Sequence, residues 1–204
     1  MRSEESEACR RSRDTLRKLF MLIAVFGILG GCALPSRQLL QTPGLADETA
    51  VLWNIRIRQR QVERFSGLLA VRAEKAGLYY VLLDGAGIKL LEARLAADGG
   101  REIVSVRAPL RRHRLPEFLA DALSRIFLLE PAGEPCGQAW LLRLCREKPA
   151  EGQSRKTALA GPITLWSAAY LAGEDDGQWA EVVYAVPWQG ATIMLTRYQG
   201  LDKK

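Results

Sequence analysis

Apolar residues recur at every second position over most of the chain after residue 50. Val51, Trp53 and Ile55 begin this alternation, which is typical of a β-strand with one buried face. Glycine-containing turns at 84–87 and 98–100 separate successive segments, which suits antiparallel hairpins. The predicted strands are 51–58, 65–72, 78–83, 88–95, 103–106, 139–144, 163–171, 178–186 and 191–198. The charged segment 146–158 is expected to be a loop.

The spacing changes to that of a helix between residues 115 and 127. Pro116 suits the first turn of a helix, and Glu117 complements its positive end. The apolar positions are Leu115, Phe118, Leu119, Ala122, Leu123, Ile126 and Phe127. The order of strands, one helix and further strands predicts a mainly β (α+β) fold, with a curved antiparallel sheet and the helix on its concave face.

The first 31 residues have the pattern of an export signal. Residues 1–18 are polar and basic, and 19–28 form an apolar run too short to cross a bilayer comfortably. The sequence Leu-Gly-Gly-Cys at 29–32 resembles the lipobox of bacterial lipoproteins, which implies cleavage before Cys32 and a diacylglycerol on its thiol. An ordinary membrane anchor or a simple secretory signal is the alternative. The predicted organisation is a signal peptide (1–31), a lipidated tether (32–48) and one domain (49–204).

Lipidation would fix the protein to a membrane, because two or three acyl chains hold a protein far more firmly than one. Ala33 follows the cysteine. By resemblance to lipoprotein sorting in Gram-negative bacteria, this favours the outer membrane, with the domain facing the periplasm. Removing the six basic and four acidic residues of the leader lowers the formal net charge from +6 to about +4. This charge does not indicate a nucleic-acid partner.

The domain retains two cysteines, Cys136 and Cys145. Their spacing in an exported domain predicts a disulfide, and two buried thiols are the alternative. We find no catalytic set, because the single histidine, His113, has no matching nucleophile motif. No metal site and no cofactor are predicted, apart from the covalent lipid at Cys32. The sequence therefore favours a protein that is not an enzyme.

A basic cluster precedes the helix. It consists of Arg107, Arg111, Arg112 and Arg114, which flank His113. One interpretation is contact with lipid phosphates or an acidic partner. The other is a solvated loop without a partner.

Three segments resemble the LolA/LolB lipoprotein-carrier superfamily, and LolB-like outer-membrane lipoproteins in particular. They are FSGLLAVR at 65–72, YYVLLDGAGIKLLEARL at 79–95 and RHRLPEFLADALSRIFL at 112–128. The resemblance implies an incomplete antiparallel β-barrel whose apolar cavity holds acyl chains. The chain has GAGI where many members have a proline-leucine-glycine turn, and its cysteine pair is not typical of the family. The family's protruding apolar loop residue would be Ile88.

The resemblance leads to a functional expectation. We expect an outer-membrane lipoprotein that binds lipid or lipoprotein acyl chains, acts as a monomer, and meets membrane lipid, other lipoproteins or a periplasmic carrier. The alternative is a structural or interaction lipoprotein of an envelope assembly or secretion system, with an interior filled by its own side chains. The residues expected to line the cavity are Trp53, Phe65, Leu69, Val71, Tyr80, Leu82, Leu90, Phe118, Ala122 and Ile126.

Overall fold

A computed structural model describes residues 50–75, 77–111, 114–173 and 178–198. Eleven strands account for most of these residues. They are β1 (Val51–Gln59), β2 (Val62–Glu74), β3 (Gly77–Leu83), β4 (Lys89–Ala96), β5 (Arg101–Val106), β6 (Cys136–Ala139), β7 (Leu142–Glu147), β8 (Gln153–Ala160), β9 (Ile163–Ala172), β10 (Trp179–Val186) and β11 (Ala191–Arg197).

All eleven strands belong to one antiparallel sheet in the order β5-β4-β3-β2-β1-β11-β10-β9-β8-β7-β6. Strands that follow one another in the chain pair with each other, except β5 and β6, and β1 also pairs with β11, with Ile55 opposite Leu195. The sheet is open, because β5 and β6 are its two edges and do not pair. The prediction of a mainly β fold built from antiparallel strands is therefore confirmed.

The chain segment between the two edge strands contains the helix. A helical turn at Ala108–Arg111 leads to α1 (Leu115–Leu123), which continues as a π-helical turn at Ser124–Leu128. Pro116 occupies the first turn of α1, where a missing backbone N–H costs nothing. None of the helices that the structure describes is long and apolar enough to pass through a bilayer. The predicted signal peptide, Cys32 and the tether lie outside the described residues.

Two segments differ from the prediction. The sequence predicted a loop at 146–158, but β8 begins at Gln153, and its Ser154, Lys156 and Ala158 are buried. The two-residue period of β8 is not apparent in the sequence, because the buried Lys156 is of a residue type that is normally exposed. The predicted strand 139–144 is instead a hairpin, because Trp140 adopts a positive φ of 54° and turns the chain between β6 and β7.

One buried apolar cluster joins the inward-facing residues of the sheet to those of the helical segment. It includes Ile55 of β1, Leu82 of β3, Ile193 of β11, and Leu119 and Leu123 of α1. Every strand and the whole cluster fall within residues 35–204, which form one compact unit. Because a unit with its own complete core can fold alone, residues 33–204 are a suitable fragment for experiments.

Candidate functional site

The candidate site is the buried face of the sheet beneath α1. Most of the residues predicted to line a cavity meet in the buried cluster, and three others are half-buried. The members of the cluster are Trp53, Leu69, Val71, Tyr80, Leu82, Ala122 and Ile126, while Phe65 and Phe118 are half-buried against it. Leu90 is half-buried, and its neighbour Leu91 supplies the fully buried side chain of β4. The strand alternation thus places Leu91 on the inner face.

Gly67 of the FSG segment lets two strands approach closely on this part of the sheet. A Cβ atom at Gly67 would collide with the backbone oxygen of Leu83 on β3 and with the ring of Phe65. A larger residue would therefore push β3 away from β2, so the glycine is required by the packing of the sheet.

A polar network holds the C-terminal end of the helical segment. The Lys156 ammonium, 1% exposed, donates to the carbonyl oxygens of Ile126 at 2.7 Å and Leu129 at 3.1 Å, and to Glu130 Oε1 at 3.0 Å. The hydroxyl of Tyr170 donates to the same Ile126 oxygen at 2.7 Å. Because the last carbonyls of a helix have no partner within it, these donors satisfy them and fix that end to β8 and β9.

The charges of this network compensate one another. Arg146 donates to Glu130 Oε2 at 2.8 Å and to Ser154 Oγ at 3.2 Å, so the Glu130 carboxylate lies between two cations. Burial lowers the pKa of the Lys156 ammonium to about 8, although Glu130 opposes the shift. Burial also raises the pKa of Tyr170 well above its ordinary value. The sequence pattern did not indicate this network, because Arg146, Ser154 and Lys156 lie in the segment expected to be a loop.

The contacts along the rest of the helical segment are fewer. Arg125 donates to the hydroxyl of Tyr184 at 2.7 Å and lies over the ring of Trp166, at 5.8 Å from its centroid. Arg101 of β5 forms an ion pair with Asp121 at 2.9 Å, and both side chains are close to half exposed. Exposed pairs of this kind contribute little stability. The hydrogen bonds of the helical segment are therefore concentrated at residues 125–130, whereas α1 is held mainly by the apolar packing of residues such as Leu119 and Leu123.

The interior contains an unpaired donor. Nε1 of Trp53 is buried and has no hydrogen-bond partner among the described residues, while its ring lies 6.3 Å from that of Phe127. Buried donors are nearly always paired in folded proteins. Among the described residues, Nε1 of Trp179 is also buried without a partner.

A surface groove of about 140 Å³ is lined by residues of β8, β9 and β10, including Ser154, Tyr170 and Leu171. This is below the roughly 300–1,000 Å³ of typical small-molecule sites. The groove therefore does not have the size of an acyl-chain site, and the apolar face beneath α1 is filled by the protein's own side chains in this structure.

The predicted basic cluster lies just after β5. The backbone N–H of Arg107 donates to Leu90 at 2.9 Å, and Nε of Arg111 donates to the Val106 carbonyl at 3.3 Å. The side chains of Arg107, Arg111 and Arg114 are exposed, whereas Arg112 lies outside the described residues. The arginines therefore stand at the N-terminal approach to α1, on the outside of the domain.

The predicted disulfide is confirmed: Cys136 and Cys145 form a cross-strand bond between β6 and β7. It ties the edge strand β6, which follows the helical segment, to the rest of the sheet. Within the described part of the chain, no group of three or more histidine, cysteine or acidic side chains is placed to hold a metal ion.

No protein-family model matches the chain, and no curated protein matches it.

Proposed function

We propose that this protein is a lipoprotein of the outer membrane, anchored through Cys32 and facing the periplasm, whose domain binds acyl chains of lipids or lipoproteins in the manner of LolB-like carriers. The observation that carries the proposal is the way the inner face of the sheet is covered. A single helix that connects the two unpaired edge strands, β5 and β6, covers it. The helix can therefore move away from the sheet without breaking any hydrogen bonds between strands.

The contacts of the helix support a curved sheet of the half-barrel type. β5 and β8 are eight strand positions apart, which would separate them by roughly 38 Å in a flat sheet. Arg101 of β5 nevertheless contacts Asp121, and Lys156 of β8 contacts Ile126. Those two helical positions are only about 7.5 Å apart along the axis. Two long side chains do not bridge the difference, which supports a sheet that curves around the helix.

The inward face of α1 resembles an acyl chain in size and polarity. Leu115, Phe118, Leu119 and Leu123 pack against the inner face of the sheet. Their side chains contain roughly nineteen carbon atoms, about as many as one long acyl chain, whose burial contributes ~0.8 kcal/mol per CH₂. Exchange of these side chains for a lipid chain would therefore keep the apolar face covered at a small net cost.

The uneven attachment of the helical segment supports a hinge at its C-terminal end. Lys156, Tyr170 and Glu130 fix residues 126–130, and the π-helical turn Ser124–Leu128 lies beside them. Turns of this type are weaker than α-helix and are common at functional positions. We infer that α1 pivots there and moves away from the sheet at its N-terminal end, where the exposed arginines would meet lipid phosphates.

The packed interior favours a second candidate. The inward side chains of the sheet and α1 are almost fully buried against one another. An interior permanently filled in this way would suit a structural or interaction lipoprotein of an envelope assembly. The two candidates differ in one property, which is whether α1 can leave the sheet.

Crosslinking α1 to β5 tests the proposal on residues 33–204. The ion pair of Arg101 and Asp121 spans the two elements, so the variant Arg101→Cys/Asp121→Cys can be joined by a short bismaleimide. We expect the unlinked variant to bind a fluorescent fatty acid as tightly as the wild type does. The crosslinked variant should bind the same fatty acid at least about tenfold more weakly.

A matched control uses a pair that does not involve the helix. Arg94 of β4 and Glu102 of β5 face each other across two strands at 3.5 Å, and Arg94→Cys/Glu102→Cys receives the same crosslinker. This control variant should bind the fatty acid equally well before and after crosslinking. If the wild-type fragment binds no fatty acid, or if linking α1 leaves binding intact, the carrier proposal fails. Absence of binding by a folded fragment would favour the filled-interior alternative.

A further inference from the structure

Five hairpin turns of the sheet lie at one end of the domain. Beside the β3–β4 turn, the β1–β2, β10–β11, β8–β9 and β6–β7 turns form a row, which we call the turn rim. Hydrogen bonds connect them along the row: Arg60 N–H donates to the Gly190 carbonyl at 2.8 Å, and Trp188 Nε1 donates to the Leu165 carbonyl at 3.1 Å. At the far end of the row, Leu142 of β7 pairs with Ala160 of β8.

The turn rim carries exposed apolar side chains of unusual size. Trp140 is 87% exposed, Trp188 67%, Leu141 64% and Ile163 61%, and Val62 is also exposed. Each is at or beside the tip of one of the four turns. Single exposed apolar residues are common, but two tryptophans this exposed on the same rim, with exposed Ile163 at the β8–β9 turn between them, indicate an interaction surface. None of these residues belongs to the proposed acyl-chain site.

The charged residues of the rim are mostly basic. Arg58, Arg60 and Arg64 near the β1–β2 turn are exposed, as is Arg143 beside the β6–β7 turn. The acidic Glu63 lies among them. A partner that fits this surface must be both apolar and negatively charged.

We propose that the turn rim docks on an anionic lipid surface. The four turns span seven strand positions from β2 to β6, or roughly 34 Å along the sheet, and so form a row rather than a compact patch. A row of separate apolar tips matches a continuous lipid surface, which receives each tip independently. Tryptophan prefers the interfacial layer of bilayers, and arginine is attracted to anionic headgroups.

The length of the predicted tether permits this orientation. β1 starts at the end opposite the rim, since its C-terminal residue Gln59 leads into the β1–β2 turn. Strand β1 covers about 30 Å, and the 17 residues 32–48 of the predicted tether span up to ~60 Å when extended. A domain anchored at Cys32 can therefore turn its rim toward the membrane that holds the anchor. The docking does not depend on lipid uptake beneath α1.

Vesicle binding by the non-lipidated fragment 33–204 tests the proposal. The vesicles consist of phosphatidylethanolamine with about one third phosphatidylglycerol, and a parallel set contains neutral phosphatidylcholine only. We expect the fragment to sediment with the anionic vesicles and less with the neutral ones. Tryptophan emission should shift to shorter wavelength and lose quenching by iodide, because Trp140 and Trp188 are exposed whereas Trp53 and Trp166 are already buried.

Two double variants separate the rim from general hydrophobicity. Trp140→Asn/Leu141→Ser removes two rim side chains, and asparagine tolerates the positive φ at position 140. We expect at least about tenfold weaker binding, since each side chain loses its burial in lipid. The control, Leu171→Ser/Tyr198→Ser, removes two exposed apolar side chains at the opposite end of the sheet and should bind like the wild type.

Three results would overturn the proposal. The first is a wild-type fragment that stays in the supernatant with anionic vesicles. The second is equal binding by the rim variant and the wild type. The third is rim-dependent self-association or protein binding in the absence of vesicle binding, which would assign the surface to a protein partner. Cooperative thermal unfolding of each variant verifies that it is folded. If the fragment binds anionic vesicles but binds no fatty acid, docking by the rim is supported and the carrier proposal fails.

Discussion

Replacing Lys156 with methionine tests whether the buried charge network fixes the end of the helical segment. The ammonium donates to Ile126 and Leu129 and pairs with Glu130. Methionine has a similar length and no charge, so the variant removes these interactions with little change in volume. The Ile126 oxygen keeps Tyr170 as a donor, but the interaction of Leu129 with Lys156 is lost.

The expected cost follows from the partners that remain. Breaking a buried ion pair by removing one partner costs about 3–5 kcal/mol, because the other charge stays buried and uncompensated. Glu130 still has Arg146 at 2.8 Å, which lowers the penalty. Removing an ammonium whose pKa burial lowers to about 8 also relieves part of its desolvation. We therefore expect Lys156→Met to lower the free energy of unfolding by about 2–4 kcal/mol.

Urea unfolding of the 33–204 fragment, followed by circular dichroism at pH 7, measures this loss. The double variant Lys156→Met/Glu130→Leu removes both charges, and Arg146 is partly exposed and can be hydrated. It should therefore be no less stable than Lys156→Met alone. A loss below about 1 kcal/mol for the single variant, or strictly additive losses in the double variant, would refute the argument that these charges are coupled and buried.

Three further changes test other parts of the structure. Cys136→Ser/Cys145→Ser opens a loop of sequence separation 9 and should lower the free energy of unfolding by about 2.5 kcal/mol, a loss that dithiothreitol reproduces in the wild type and not in the variant. Gly67→Ala should cost at least about 2 kcal/mol by forcing its Cβ against Leu83, whereas Gly85→Ala, with open space around it, should be neutral; equal effects would contradict the packing argument. Burial raises the pKa of three tyrosines, so folded molecules keep these protons when unfolded chains lose them above pH 10. They are Tyr80, Tyr170 and Tyr184. The lowered pKa of Lys156, about 8, should raise the free energy of unfolding between pH 8 and 10. Above pH 10 the free energy of unfolding should fall by up to about 1.4 kcal/mol per pH unit for each tyrosine, and the three tyrosines together outweigh Lys156; a free energy that stays constant from pH 10 to 11 would contradict their burial.

Strands with a regular two-residue period were predictable from the sequence, because burial of one face imposes that period. Residues 51–58 and 191–198 coincide closely with β1 and β11. The helix was also predictable, since its apolar positions follow a period near 3.6. Its last turn differs in type: residues after Leu123 form a π-helical turn.

The pairing of β1 with β11 and the charge network could not be predicted in the same way. Alternation identifies strands but does not say which distant strands are neighbours. Lys156 and Glu130 are 26 residues apart, and each is a residue type that is normally exposed. Their burial depends on the fold bringing opposite charges together, which no local pattern records. The exposure of Trp140 and Trp188 could not be predicted either, because large aromatic residues are usually at least partly buried.

The pairing of β1 with β11 has a consequence for how the domain folds. The two central strands of the sheet are separated by more than a hundred residues of chain, so their contact order is high and closure of the sheet is expected to be slow, on the order of milliseconds to seconds. Loss of β11 by proteolysis would expose the long hydrogen-bonding edges of β1 and β10 at once. Such edges recruit strands from other molecules. Aggregation of clipped chains is therefore the failure to expect from this topology.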